Sequence, residues 1–178
     1  MRSRFDLIQL PLDLHGSNLS EFPVFCEQAA KWLPGVLKAL DRKAYRIASV
    51  REGLLADIAG ADKDAIASRL VICPPFFRQT PFEWDWRVAS NWPRRFGDTE
   101  ESINTIITAK RQVVTLTDVS GASETFDSIR ADFDISTSQH DTLDRFGNEE
   151  CRQYLLESGN WHREVANDFL NFIGGMGL

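Results

Sequence analysis

The sequence predicts an α+β fold over residues 1–178: one domain, with a mostly antiparallel sheet packed against an N-terminal helix and a long C-terminal helix. Two observations come from strands. Phe82, Trp84, Trp86 and Val88 alternate with Glu83, Asp85 and Arg87, and Ile129, Ala131, Phe133 and Ile135 alternate with Arg130, Asp132 and Asp134. Side chains two apart share one face of a strand, so each run has one buried and one wet side. The third comes from the two ends. Phe22, Phe25, Ala29 and Trp32 or Leu33 make one helical stripe, and Trp161, Val165, Phe169 and Phe172 make another. The strands between them follow one another through short turns, which favours antiparallel pairing with helices on one face.

Taken in order, Ile8, Leu10, Leu12 and Leu14 predict a first strand, with Pro11 placing it at an edge or a bulge. Ser20 offers an N-cap to a helix whose Pro23 lies where a missing N–H costs little. Pro34-Gly35 is expected to end that helix, with Val36 to Leu40 forming a short second one. Strands are expected at Tyr45 to Val50 and Leu54 to Ile58, turning at Arg51-Glu52-Gly53. Gly60 to Asp64 reads as a loop or helical turn, and Leu70 to Cys73 as a strand halted by Pro74-Pro75. Ile103 to Thr108 and Val113 to Thr117 read as a hairpin around Ala109 to Gln112, and Ser120 to Ser123 as a turn. At the C-terminal end, Glu149 to Glu157 predicts a helical segment, Ser158-Gly159 a stop, and Asn160 the cap of a last helix.

The formal charge of −6 argues against a nonspecific grip on nucleic acid, whose affinity comes from clustered Lys and Arg. Arg94-Arg95 is the one adjacent arginine pair, too little for a basic footprint. Cys26, Cys73 and Cys151 are far apart and odd in number, a pattern of reduced, buried thiols in a cytoplasmic protein. Arg2 and Arg4 precede apolar residues as in a signal peptide, but Asp6, Pro11 and Asp13 interrupt the run. No segment approaches the roughly 18 apolar residues of a membrane span, so neither export nor a membrane is expected.

The order of elements, with Trp32-Leu33-Pro34-Gly35 ahead of the second strand, resembles the helix-grip arrangement of START-like and polyketide-cyclase-like domains. The resemblance implies a curved sheet around a C-terminal helix, with an apolar ligand cavity between them. The tail from Ile129 to Ile173, with Trp161-His162 and Phe169, also resembles sporadically distributed bacterial proteins of unknown function.

The densest chemistry lies between Phe76 and Phe96, where seven aromatic side chains (Phe76, Phe77, Phe82, Trp84, Trp86, Trp92 and Phe96) are interleaved with Arg78, Arg87, Arg94 and Arg95. Asn91 and Pro93 suggest a loop that exposes Trp92, Arg94, Arg95 and Phe96 as a partner-binding anchor, since Trp and Arg dominate interface energetics. Glu83, Asp85 and Arg87 would form its polar rim. The leading functional expectation is therefore a non-catalytic binder of a macromolecule, most simply a protein. The alternative is an apolar small molecule held in a cavity lined by Trp84, Trp86, Phe133, Phe169 and Phe172. Neither acid–base nor metal chemistry has a comparable signal. His15, His140 and His162 lack metal-ligand spacing, and the pairing of His140 with Asp141 reads as a polar lead-in to the last helices. The position of His162 just after a cap indicates no strong burial. Glu83 and Asp85, two apart, lie roughly 6.5–7 Å from each other on a strand, and read as a solvated face before a carboxylate pair. Nucleophile elbows and phosphate loops are missing, so no catalytic residue, metal or cofactor is assigned.

Overall fold

The computed structural model describes residues 4–12, 18–55, 58–76, 78–138 and 143–174. Leu14, His15, Phe77, His140 and Asp141 lie outside them, and with them the expectations placed there. The fold is α+β: helix α1 (Phe22–Ala39), strand β1 (Ala48–Leu55), helix α2 (Gly60–Leu70), strands β2 (Trp84–Phe96), β3 (Thr99–Thr117) and β4 (Ser123–Thr137), and helix α3 (Asn148–Ile173).

The sheet is antiparallel throughout, in the order β1-β4-β3-β2. β2 returns into β3 through Gly97-Asp98, where Gly97 at φ 57° supplies the left-handed residue that a two-residue hairpin turn needs. Between β3 and β4 the turn is organised by Asp118, whose carboxylate accepts from the Ser120 backbone at 2.8 Å, the Ser120 hydroxyl at 2.6 Å and the Ala122 backbone at 3.0 Å. These bonds, the hydroxyl first, hold the Asp118 carboxyl below its usual range. The expected strand at 129–135 is there, with Ile129, Ala131, Phe133 and Ile135 all buried.

α3 lies across one face of the sheet and α1 packs mainly against α3. Tyr154, Trp161, Val165 and Phe169 turn inward from α3, and each full burial of this kind contributes about 1.5–3 kcal/mol. The Tyr154 phenol donates to the Ile135 carbonyl at 2.6 Å, so its polar tip is satisfied inside the core. At the far end of the sheet, α2 is clamped to β3 and β4. Arg111 pairs with Asp64 at 2.7 Å and Asp127 at 3.0 Å, and buried Lys63 donates to the Asp127 carbonyl and pairs with its carboxylate at 3.4 Å. The Arg111 guanidinium, then Lys63, holds the Asp127 carboxyl below its ordinary value.

Several expected boundaries are corrected, most of those at internal breakers toward longer elements. The helix does not stop at Pro34-Gly35: α1 runs on to Ala39 as one element, starting after Glu21 rather than Ser20. A proline costs one backbone bond, and packing against α3 offsets it. Arg51 to Gly53 is not a turn but the middle of β1, paired through to Leu55 with β4. The stretch 109–112 is likewise continuous strand within β3. Gly60 to Asp64 opens a full helix, α2, whose C-terminal residue is Leu70; residues 71–73 form no strand, and Cys73 is exposed rather than buried. Ser158-Gly159 is interior to α3. Both residues are buried, and α1 comes so close at Gly159 that a Cβ there would lie 3.0 Å from the Pro23 Cα. Residues 4–12 form no paired strand, and Ile8, Leu10 and Leu12 are exposed. Phe82 lies ahead of β2 and is 80% exposed.

Candidate functional site

The anchor loop expected at 91–96 is a strand. β2 continues through Asn91 and Pro93 to Phe96, in register with β3 from Trp84↔Arg111 to Phe96↔Thr99. Proline is tolerated because β2 is the sheet edge, with no further strand to receive an N–H. Alternation then decides each side chain. Phe96 faces inward at 1% exposure, with ring centroids 5.6 Å from Tyr154 and 6.3 Å from Trp161. It is a core residue and not a surface anchor. Trp92 is half-buried, and the Arg94 guanidinium stacks over its ring at 3.8 Å while bonding Glu164 of α3 at 2.7 and 2.8 Å. Arg95 points away and is exposed, 3.7 Å from Asp98.

The opposite, wet face carries Asp85 and Arg87, with Glu83 exposed just ahead of the strand. Asp85 pairs at 2.9 Å with Lys110, its register partner on β3. Asp132 holds Arg130 at 2.8 Å, and Arg130 reaches Glu52 at 3.0 Å. These ion pairs, Asp85–Lys110 and Glu52–Arg130 across strands and Arg130–Asp132 along one, make this a solvated face rather than a converging carboxylate pair.

Between the inner face of β2–β3 and α3 lies an open cleft of about 250 Å³. Ser90, Trp86 and Trp92 of β2, Thr105 and Ile107 of β3, and Val165, Asp168, Phe169 and Phe172 of α3 line it. The register explains the grouping: Ser90 faces Thr105 directly, and Trp86 and Trp92 share the face of Ser90. Asp168 and Phe172 are four apart on α3, so they overhang the same side. Two lining groups are buried without a hydrogen-bond partner, the Trp92 Nε1–H and the Thr105 hydroxyl, with Thr105 only 4% exposed. Leaving such a group unbonded costs about 1–3 kcal/mol. A second hollow of about 210 Å³ between α1 and α3, with Glu27, Lys31 and Arg152 in its lining, holds no such unpartnered group.

Of the residues expected to line a cavity, Trp86, Phe169 and Phe172 do so. Trp84 and Phe133 are packed in the core instead, at 7% and 6% exposure. Sequence reasoning missed Ser90, Thr105, Ile107, Val165 and Asp168 as lining residues, and placed Trp92 on an outer loop. The signal for Ser90 was available: it continues the even-numbered alternation from Trp84 to Phe96 once the strand is allowed to run through Pro93.

One polar pair was not anticipated. His162 is fully buried, its Nε2 lying 3.0 Å from the Ser49 hydroxyl and 3.2 Å from the Ser49 carbonyl oxygen. A carbonyl only accepts, so Nε2 carries a proton. Burial drives its pKa down to about 3, the Ser49 carbonyl bond offsetting part of the fall. Phe22 of α1 covers the ring at 4.4 Å, and Ser49 is itself buried, so this pair is closed to any substrate. Burial likewise raises the Cys26 thiol, and the Cys151 thiol to about 12, leaving both as apolar filler. Among the described residues no three His, Cys, Asp or Glu side chains are grouped to hold a metal ion, and no helix is long and apolar enough to cross a membrane. No family model, curated protein or solved structure matches this chain.

Proposed function

We propose that this protein binds a small molecule in the cleft between β2–β3 and α3, using that space as a helix-grip domain uses the hollow under its last helix. The observation that carries the reading is the open cleft itself, about 250 Å³, where Trp86 and Trp92 of the edge strand and Phe169 and Phe172 of the last helix line one hollow with Ser90 and Asp168 among them. Apolar walls with a few convergent polar groups are the usual make-up of a ligand site. Binding rather than chemistry is favoured, because Asp168 is the one carboxylate in the lining and has no acid–base partner there. Three free thiols support a reducing, cytoplasmic setting.

A macromolecular partner gripping the Trp92–Phe96 edge has less support. Phe96 belongs to the core, Arg94 is committed to Glu164, and of the anchor residues Arg95 is left outward with the rim residues Glu83, Asp85 and Arg87.

Native mass spectrometry of protein purified from its own host tests the proposal. A small-molecule adduct is expected on the wild type and is expected to be lost from Ser90→Trp, whose indole fills the cleft. An adduct retained by Ser90→Trp, or a co-purifying macromolecule in place of any adduct, overturns it.

A further inference from the structure

The β3–β4 hairpin outruns its neighbours. β2 accompanies β3 no further than Trp84↔Arg111, and β1 accompanies β4 no further than Leu55↔Ile129. Beyond those pairs, residues 112–117 of β3 and 123–128 of β4 form a two-stranded arm. It is about 20 Å long at about 3.4 Å per residue. A lone pair of strands is marginally stable in water and gains from further pairing.

The free strand edges differ in how they are guarded. β2 carries Asp85, Arg87, Pro93, Arg94 and Arg95, and β1 carries Arg51, Glu52 and Gly53. Glu124 and Asp127 guard the β4 side of the arm. Charges and proline are the usual means of keeping an edge from pairing. Residues 112–117 of β3 have no charge, proline or glycine, and Val113, Val114, Thr115 and Thr117 are β-branched. Such a composition favours pairing edge to edge.

We propose that this edge forms a homodimer, the 112–117 edges of two copies pairing antiparallel about a two-fold axis at Thr115. The strand order across the interface is then β4-β3-β3-β4. A two-fold pairing of this kind matches each residue to one on the same face of the sheet. Centred on Thr115, it sets Val114 opposite Leu116, Val113 opposite Thr117, and Thr115 opposite itself. Half-buried Val114, Leu116 and Phe126 of both copies become one apolar band, Phe126 being the register partner of Val114 on β4. On the other face Thr115 and Thr125, their hydroxyls 3.0 Å apart, become a row of four threonines.

Charge complementarity points to a second copy. The chain carries −6, yet this pairing brings no acid against its own copy. Asp127 is held by Lys63 and Arg111 within each copy. The two Glu124 side chains stand three strand spacings apart, about 14 Å, which exceeds the screening length at physiological salt. A foreign strand would have to bring the same neutral, β-branched edge; a second copy supplies it. Six residues a side fall well short of the roughly 20–30 of a stable complex, so the dimer is weak, with Kd on the order of 10–100 µM.

Sedimentation equilibrium from about 5 to about 500 µM tests this and is expected to show a monomer–dimer equilibrium. Thr115→Lys sets two like charges face to face and is expected to raise Kd at least about tenfold. Thr115 is exposed, so the fold should survive, which circular dichroism checks. Cross-linking places the contact. Facing Cα atoms of antiparallel strands lie about 4.5–5.5 Å apart, within disulfide reach. Thr115→Cys, combined with Cys73→Ser to remove the exposed native thiol, should therefore give a disulfide-linked dimer under mild oxidation. Arg95→Cys on the β2 edge, in the same background, should stay monomeric. A wild type that is monomeric at the highest concentration overturns the inference. So does a dimer indifferent to Thr115→Lys, or an Arg95→Cys variant that cross-links as readily as Thr115→Cys. None of these outcomes bears on the cleft, whose lining includes neither residue.

Discussion

His162 on α3 holds its Nε2 within 3.0 Å of the Ser49 hydroxyl on β1, joining the last helix to the first strand through a neutral imidazole sealed from water. The folded pKa of about 3 lies below the value near 6.5 of an unfolded histidine. Below pH 6.5 the unfolded chain therefore takes a proton that the folded chain refuses. The stability this group contributes is complete above pH 6.5 and declines at about 1.4 kcal/mol per pH unit as the pH falls toward 3. Urea denaturation at pH 7, 6 and 5 should show this slope, in a range where the lowered carboxylates Asp127 and Asp118 add little. His162→Gln should flatten it, while costing about 1–3 kcal/mol at pH 7 from lost packing and bonding.

Phe96 and Arg95 are neighbours with opposite fates. Phe96→Ala removes a ring packed against Phe146, Tyr154 and Trp161 and should cost about 3–5 kcal/mol. Arg95→Ala should stay within about 0.5 kcal/mol, because its ion pair is exposed. Thermal unfolding of the two variants side by side measures the difference.

Glycines in the two long helices should respond in opposite directions to alanine. Gly35 of α1 has open space where a Cβ would stand, so Gly35→Ala should stabilise by about 0.5–1 kcal/mol through helix propensity. In Gly159→Ala the new methyl meets the Pro23 backbone at 3.0 Å, and overpacking of about 1–3 kcal/mol outweighs the same gain. A rise in Tm for the first and a fall for the second is the expected result.

Lys63 is 6% exposed, and Asp127 supplies both of the bonds that hold its ammonium. Asp127→Ala should destabilise by about 1–2 kcal/mol, because a shielded charge is left with a single carbonyl. Adding Lys63→Met should restore part of that loss. A double-mutant cycle by urea denaturation gives the coupling.

The fold class was legible because alternation and helical stripes are properties of burial, and burial is what Ile129 to Ile135 and Trp161 to Phe169 encode. Breakers were over-weighted. Pro34, Gly53 and Gly159 each sit inside an element because a neighbour requires or tolerates them there: an adjoining helix for Pro34 and Gly159, a sheet edge for Gly53. The cleft was half legible. Trp86, Phe169 and Phe172 follow from periodicity, whereas Thr105 becomes a lining residue only through the β2–β3 register, which no local pattern reveals. The burial of His162 was hidden for a similar reason, since Ser49 lies far from it in the chain and only the folded sheet brings the two together.

The strand order β1-β4-β3-β2 has a bearing on biosynthesis. During translation, β1 leaves the ribosome before the strand it must pair with has been made, and α1 waits longer still for α3. The β2–β3–β4 meander is the earliest part of the sheet able to assemble, so β1 stays open to chaperones and proteases until β4 emerges, and α1 until α3 does.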